Sequence, residues 1–398
     1  MKSKRIGVVI LGMVMLLCMA ATANAQTQGV TDKEVRIGAC HDLSGSQSAW
    51  SIDATNAIRL RFDEANAKGG VYGRKLTYLT EDHQYQVPLA IQKANKLINR
   101  DKVFMMMGDM GTAMAKAYFN QVMKEKNVPL FLPTSGAKEL AEPFNRLIYT
   151  AWALYYDQAR AVTKYFVEKK GKKRIGIAWA QSSYGKEMYQ GIIDQLKAMN
   201  MEPVVVTSHA ITETNFIGAV NKHRNANVDV ILMAVIVQDG LRFTQTIRDL
   251  GWNDVDLVGL QGMLVNAVPA LGKKAVEGVY FPAGIEVVER DQVTDPRGIA
   301  FFENYKKRHG VWPSFNACLG YTFADITVVA LEKAGKNLTV DSFINGADSI
   351  KHYKSLFGGA DRSFSPTDHI GLKETQLYWI KDGKFVSPEP GKKILLTY

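Results

Sequence analysis

Apolar positions recur along this chain in two alternating periods. Short runs of apolar and β-branched residues read as buried strands: "VRIGAC" from Val35, "KLTYLTED" from Lys75, "VFMMMG" from Val103 and "VPLFLPT" from Val128. Between them apolar residues fall three and four apart, the spacing of one helix face. Ala54, Ile58, Phe62 and Ala65 form the first such face; Ile91, Ala94, Leu97 and Ile98 the second; Met114, Tyr118 and Val122 the third. Pro88 opens the second helix, where its missing N–H costs nothing. The rhythm restarts beyond Trp152, with a helix face at Val162, Tyr165 and Phe166 and a strand at "RIGIAWA". Helix, strand, helix and strand follow at Met188–Ile192–Leu196–Met199, "EPVVVTS", "NFIGAVNKH" and "VDVILMAVI". A helix through Phe243, Ile247 and Leu250 and the strand "DLVGLQG" complete the round. Strand–helix alternation with short turns predicts parallel sheets wrapped by helices. Two rounds of it predict two doubly wound, Rossmann-like α/β lobes.

The length, 398 residues, allows two such cores, and a composition 46% hydrophobic and 22% charged is globular. The first residues carry a different message. "MKSKR" is a basic start, "IGVVILGMVMLLCMAA" an apolar core, and "ANA" before Gln26 a small-x-small cleavage pattern. Residues 1–25 are therefore predicted to be a signal peptide cleaved after Ala25, which places the mature chain in the periplasm. Cys18 does not suit lipid attachment, because bulky Leu17 precedes it. The chain's net charge is +10; Lys2, Lys4 and Arg5 leave with the leader, so the mature chain keeps +7. That excess is spread rather than clustered, with no basic block and no aromatic–basic interleaving, so no nucleic-acid partner is expected. Cys40 and Cys318 remain. Extracytoplasmic space permits a disulfide between them, but two buried thiols are the expectation.

In open α/β sheets, ligands sit beyond the carboxyl ends of the strands. Here those ends carry "CHDLSGS", "TEDHQ", "GDMGT", "PTSGA", "AQSSYG", "VIVQDG" and "LQGM". Glycine and hydroxyl residues of this kind suit binding more than catalysis. Thr112 stands where a helix begins, a position that serves either as an ordinary cap or as an anion receptor. Hydroxyls at Thr134 and Ser135, before another helical turn, favour the receptor. His41, Asp42 and Ser44 do not make a hydrolase: no nucleophile elbow is present. No P-loop or dinucleotide fingerprint appears, so no cofactor is expected. Asp82-His83 reads as a solvated turn rather than a metal site. Trp50, Tyr155 and Tyr184 lie outside the helix stripes and read as loop aromatics that wall an apolar ligand.

The order of these motifs resembles the periplasmic binding proteins of the branched-chain amino acid (leucine/isoleucine/valine) type, which serve ABC importers. The resemblance rests on "VRIGACHDLSG", "AIRLRFDEANAKGGVYGRKL", "AIQKANKLI", "VPLFLPTSG", "YYDQARAVTKYFVEK", "SSYGKEM" and "EGVYF". It implies a type I periplasmic binding protein fold: two lobes, three crossing segments, and a cleft that closes on the ligand. The implied lobes are residues 26–152 with 282–373, and 153–281 with 374–398. It also implies a monomer without enzymatic activity, working with a permease and an ATPase at the inner membrane.

The same resemblance suggests roles. Trp50, past Ser44-Gly45, matches the family's first-lobe aromatic, with His41 and Ser44 in the same loop. Thr112 matches its carboxylate-binding hydroxyl, and Thr134, Ser135 and Gly136 the adjoining strand end. Tyr184 matches the second-lobe aromatic, and Ile236 stands where a further aromatic is usual. The departures point to the ligand. Tyr155 and Gln261 replace the two acids that hold a ligand ammonium, and Tyr85 and Gly111 replace a disulfide. A buried ammonium without a carboxylate costs several kcal/mol. The expected ligand is therefore a small carboxylate lacking an α-ammonium, aromatic or branched aliphatic. An apolar amino acid, or a sensory role for the same fold, are the alternatives.

Overall fold

The computed structural model describes residues 27–398, and the expected leader lies outside them. Two sheets organise the chain. The first has β1 (Glu34–His41), β2 (Lys75–Asp82), β3 (Met105–Met107), β4 (Leu130–Phe131) and β5 (Ile148–Tyr149) in the order β2-β1-β3-β4-β5. All its pairings are parallel. The second has β6 (Ile175–Ala180), β7 (Val205–His209), β8 (Val230–Ala234), β9 (Asp256–Gly259) and β10 (Tyr280–Ala283), then β11 (Thr375–Lys381) and β12 (Lys384–Val386). Its order is β12-β11-β10-β9-β8-β6-β7, with β13 (Leu395–Leu396) on β11. β6 to β10 are mutually parallel, whereas β11 joins β10 antiparallel and pairs antiparallel with β12 and β13. Strand order reverses between β1 and β3 in the first sheet and between β6 and β8 in the second, the places where doubly wound sheets open a crevice.

The helices follow the predicted faces. In the first round they are α1 (Ser48–Ala67), α2 (Val87–Asn95), α3 (Thr112–Tyr118) and the single turn α4 (Lys138–Ala141). Both α2 and α3 run on into five-residue π turns, Lys96–Arg100 and Phe119–Met123. In the second round they are α5 (Tyr155–Glu168), α6 (Ser183–Ala198), α7 (Ile217–Asn225), α8 (Val237–Asp249) and α9 (Ala267–Gly272). Ser182 starts α6 by accepting the Gly185 N–H on its hydroxyl at 3.0 Å.

After β10 the chain builds three more helices, α10 (Pro296–His309), α11 (Phe315–Ala334) and α12 (Val340–Asp348), before returning to β11. α11 packs along α1 and α12. Polar contacts fix α11 on α1, where Arg61 Nε donates to Asp325 Oδ1 at 2.7 Å and Tyr321 Oη to Glu64 Oε2 at 2.6 Å, and α10 on α1, where Tyr305 Oη donates to Asp53 Oδ1 at 3.1 Å. The late helices thus lie with the first sheet, while the strands around them in sequence lie with the second. Among the described residues Cys40 and Cys318 are both buried and form no disulfide. No helix among the described residues is long and apolar enough to cross a membrane.

Candidate functional site

The carboxyl ends of the two sheets face each other across a small cavity. From the first lobe it is lined by Gln47 and Trp50 after β1, Tyr85 after β2, Met110, Gly111 and Thr112 after β3, and Thr134 after β4. Trp152 and Tyr155 come from the segment that follows β5. The second lobe adds Tyr184, Ile236, Gln261 and Gly262. The enclosed space is about 30 Å³, so the lobes stand closed on one another. Trp50 marks the closure: its indole Nε1 donates to the Gly262 carbonyl at 3.5 Å.

The first-lobe wall offers hydroxyls. Gly111, at φ +101°, occupies the capping position of α3, and Thr112 is the first helical residue. The Thr112 hydroxyl is therefore not used as a cap; it lies 2.8 Å from Ser135 Oγ, both residues being buried. Ala115 is the first residue whose N–H closes a turn within α3, onto Gly111 O at 2.9 Å, so the preceding N–H groups are those a helix leaves for other acceptors. The Thr134 and Ser135 amides are engaged within the first lobe. Those N–H groups donate to Asp109 O at 2.6 Å and Pro133 O at 2.7 Å.

Aromatic rings make the remaining wall. Trp50 lies 5.8 Å from Trp152, Trp152 6.3 Å from Tyr155, and Tyr155 5.0 Å from Tyr184, centroid to centroid. Trp50, Tyr155 and Tyr184 sit in the first turns of α1, α5 and α6 rather than on loops, because each helix points its start at the cleft. Burial pushes the Tyr85, Tyr155 and Tyr184 phenols up, which keeps them neutral. Tyr184 Oη accepts the Gly262 N–H at 2.6 Å. A side chain at Gly262 would meet the Val235 carbonyl at 2.6 Å and the Tyr184 ring at 2.8 Å, so glycine there lets the ring reach the turn.

Two expected site residues lie elsewhere. His41 is fully buried, its Nε2 2.8 Å from Tyr78 Oη, and burial lowers its pKa to about 3. It ends β1 with its side chain in the first-lobe interior. Ser44 is turned the other way and donates to Asp82 Oδ2 at 2.6 Å. Ser135 and Gly136 act from behind the lining: Ser135 through Thr112, Gly136 by accepting the Tyr155 N–H at 2.7 Å.

The cavity also contains residues that sequence reasoning did not place there: Gln47, Tyr85, Met110, Gly111, Trp152 and Gly262. Tyr85 and Gly111 belong together, since a Cβ on Gly111 would stand 3.2 Å from the Tyr85 ring. His83 holds two of the lining residues. Its Nδ1 accepts the Tyr85 N–H at 3.0 Å, which leaves the proton on Nε2 to donate to Met110 O at 2.9 Å. His83 is thus a buried strut rather than part of a solvated turn; burial lowers its pKa and keeps it neutral.

Among the described residues, no Asp, Glu, Lys or Arg lines the cavity. The acids nearest in sequence to the lining are committed elsewhere. Asp42 accepts the Gly45 and Gln47 N–H groups, each at 2.6 Å, and Asp82 accepts Leu43 N–H at 2.9 Å besides Ser44. Asp239 Oδ2 lies 2.7 Å from His209 Nε2. Asp109 accepts the Cys40 N–H at 2.8 Å, and burial raises its pKa to about 7. Nor do any three His, Cys, Asp or Glu residues among the described ones form a group able to hold a metal.

Two parallel α/β lobes, interleaved along the chain and closed over an apolar cavity at their strand ends, define a cleft-type solute-binding protein. A sequence profile described as "Periplasmic binding protein" matches residues 34–384, and the chain belongs to that family, in its type I, branched-chain amino acid group. Members are exported binding components of ABC transporters, not enzymes. One relative, Leu/Ile/Val-binding protein homolog 7 of Brucella suis, is 25% identical over 387 residues, covering 94% of each chain. Solved structures share the fold, and two of them bear on the ligand. The Streptococcus pneumoniae protein LivJ, in complex with isoleucine, has a TM-score of 0.79 at 19% identity, covering 92% of this chain and 100% of its own. A fatty acid ABC transporter substrate-binding protein from Thermomonospora curvata has a TM-score of 0.81 at 22% identity, covering 94% and 93%.

Proposed function

We propose that this protein captures a small carboxylate lacking an α-ammonium, aromatic or branched aliphatic, and presents it to a permease and ATPase of an ABC importer. It is exported by a leader cleaved after Ala25 and works in the periplasm as a monomer. Its lobes are residues 26–152 with 282–373, and 153–281 with 374–398, hinged at three crossings. The observation that carries this reading is the absence of any acidic side chain from the cavity lining among the described residues. An ammonium enclosed there would lose its hydration with no carboxylate to replace it, a cost of several kcal/mol. A carboxylate fares differently: the hydroxyl of Thr112, backed by Ser135, and the first-turn N–H groups of α3 can receive it. The rings of Trp50, Tyr155 and Tyr184 then cover an apolar body.

A second reading, an apolar amino acid as ligand, is favoured by the printed names of the relatives, which are Leu/Ile/Val-binding. The fatty-acid-binding neighbour supports the view that the fold also serves acids without an amine. A thermal-shift screen of amino acids, aliphatic acids and aromatic acids tests the two side by side. Ligand at 100 times its Kd should add about 2.7 kcal/mol of stability. Stabilisation by acids but not by amino acids is the expected outcome, and the reverse pattern overturns the proposal.

A further inference from the structure

Gln261 lies in the 3₁₀ turn after β9, 1% exposed, on the second-lobe wall of the cavity. Its Oε1 accepts the Gly284 N–H at 2.9 Å. That contact fixes which way round the amide sits, because a backbone N–H cannot face an NH2 group. The atom left over is Nε2, and it is buried with no hydrogen-bond partner among the described residues. Trp152 Nε1, on a side chain 1% exposed that lines the same cavity, is likewise buried without a partner among the described residues. A buried donor with no acceptor is costly, and native structures rarely keep one unless something else answers it.

We propose that Gln261 Nε2 receives a second acceptor oxygen, carried on carbon 2 of the ligand, so that the preferred ligands are 2-oxo acids. This inference rests on the reading of the cleft as a carboxylate site without an ammonium partner. Two polar ends, Thr112, whose hydroxyl pairs with Ser135 behind it, and Gln261, line one cavity. A ligand that touches both walls of this one cavity can carry both acceptors, and in a short acid neighbouring carbons supply them. A keto oxygen only accepts, which suits an N–H donor. A hydroxyl must also place its own hydrogen, and an ammonium, donor-only and cationic, opposes the amide N–H directly.

The test is calorimetry with four ligands of one skeleton: 4-methyl-2-oxopentanoate, 2-hydroxy-4-methylpentanoate, 4-methylpentanoate and leucine. The oxo acid is expected to bind the wild-type protein about tenfold tighter than 4-methylpentanoate, the worth of one buried hydrogen bond. Gln261→Leu should erase that difference. Gln261→Glu keeps an acceptor for Gly284 but turns a carboxylate oxygen to the ligand; it should abolish the oxo preference and raise leucine affinity. This second variant decides the matter if Gln261→Leu does not fold. Equal binding of the oxo and deoxy acids by the wild type overturns the inference and leaves the carboxylate reading standing. Leucine binding with no response to any acid overturns the underlying reading instead.

Discussion

The indole Nε1 of Trp50 and the carbonyl of Gly262 meet at 3.5 Å although 212 residues separate them in sequence. Trp50 belongs to the first helix of one lobe, Gly262 to the turn after β9 in the other, and the Gly262 amide is held in turn by Tyr184. Closure therefore joins an aromatic of the first lobe to the backbone that positions an aromatic of the second. Trp50→Phe keeps a wall but loses the hydrogen bond, and should weaken ligand binding about tenfold at most. Trp50→Ala removes the wall too and should cost ten- to a hundredfold more, about 1.5–3 kcal/mol of apolar burial. Titration calorimetry of the two variants separates these contributions.

Thr112 is not a helix cap, so its hydroxyl is available to an anion. A hydrogen bond to a charged group contributes about 1.5–3 kcal/mol. Thr112→Val should weaken carboxylate binding by about ten- to a hundredfold, while Thr112→Ser retains most of it. Unchanged affinity of a folded Thr112→Val protein would show that the hydroxyl serves only Ser135.

Glu187, in α6, accepts Lys138 N–H at 2.8 Å and Tyr156 N–H at 3.3 Å through Oε1. Burial raises its pKa from 4.5 to about 7, with Glu139 pushing the same way and Lys138 opposing. If closure is what buries it, the closed form binds more protons than the open one, so closure weakens as pH rises from about 4.5 towards 7. Ligand affinity is expected to fall between about pH 4.5 and 7 and to level off above that. Glu187→Gln keeps an acceptor that cannot ionise, and should flatten that profile when affinity is measured across the range.

Arg362 is fully buried and pairs through both terminal nitrogens with Glu286, in the segment that follows β10. Removing one member strands the other charge. Arg362→Met should lower unfolding stability by about 3–5 kcal/mol, and Arg362→Met with Glu286→Gln should recover much of it. Denaturant midpoints of the two proteins give the comparison.

The strand–helix alternation was legible in the sequence through Gly259, because each helix there buries a single face. It failed beyond β10 for a physical reason. α11 is buried on nearly every side, from Phe315 to Leu331, so it has no polar stripe to set its period; the late crossings were legible only through family resemblance. The site shows the same division. Trp50, Tyr155 and Tyr184 stood out as aromatics without a helix stripe, although helix starts, not loops, present them. His41 and Ser44 were drawn in by adjacency in sequence, whereas one points into the first-lobe interior and the other to Asp82. Tyr85 and Gly111 carried a signal, since both replace cysteines of the resemblance, but nothing in the sequence told that their side of the cleft would pack against each other. The pairing of Gln261 with Gly284 spans two strands and could be read only in three dimensions.

Calorimetry on the wild-type protein bears most directly on the central claim, that the cleft takes acids and rejects their amines. Leucine is compared with 4-methylpentanoate, and phenylalanine with 3-phenylpropanoate, under one buffer condition. The expected result is that at least one acid binds tenfold or more tighter than the amino acid of the same skeleton, about 1.4 kcal/mol. Micromolar or tighter binding of leucine, with no heat from either acid, would contradict it.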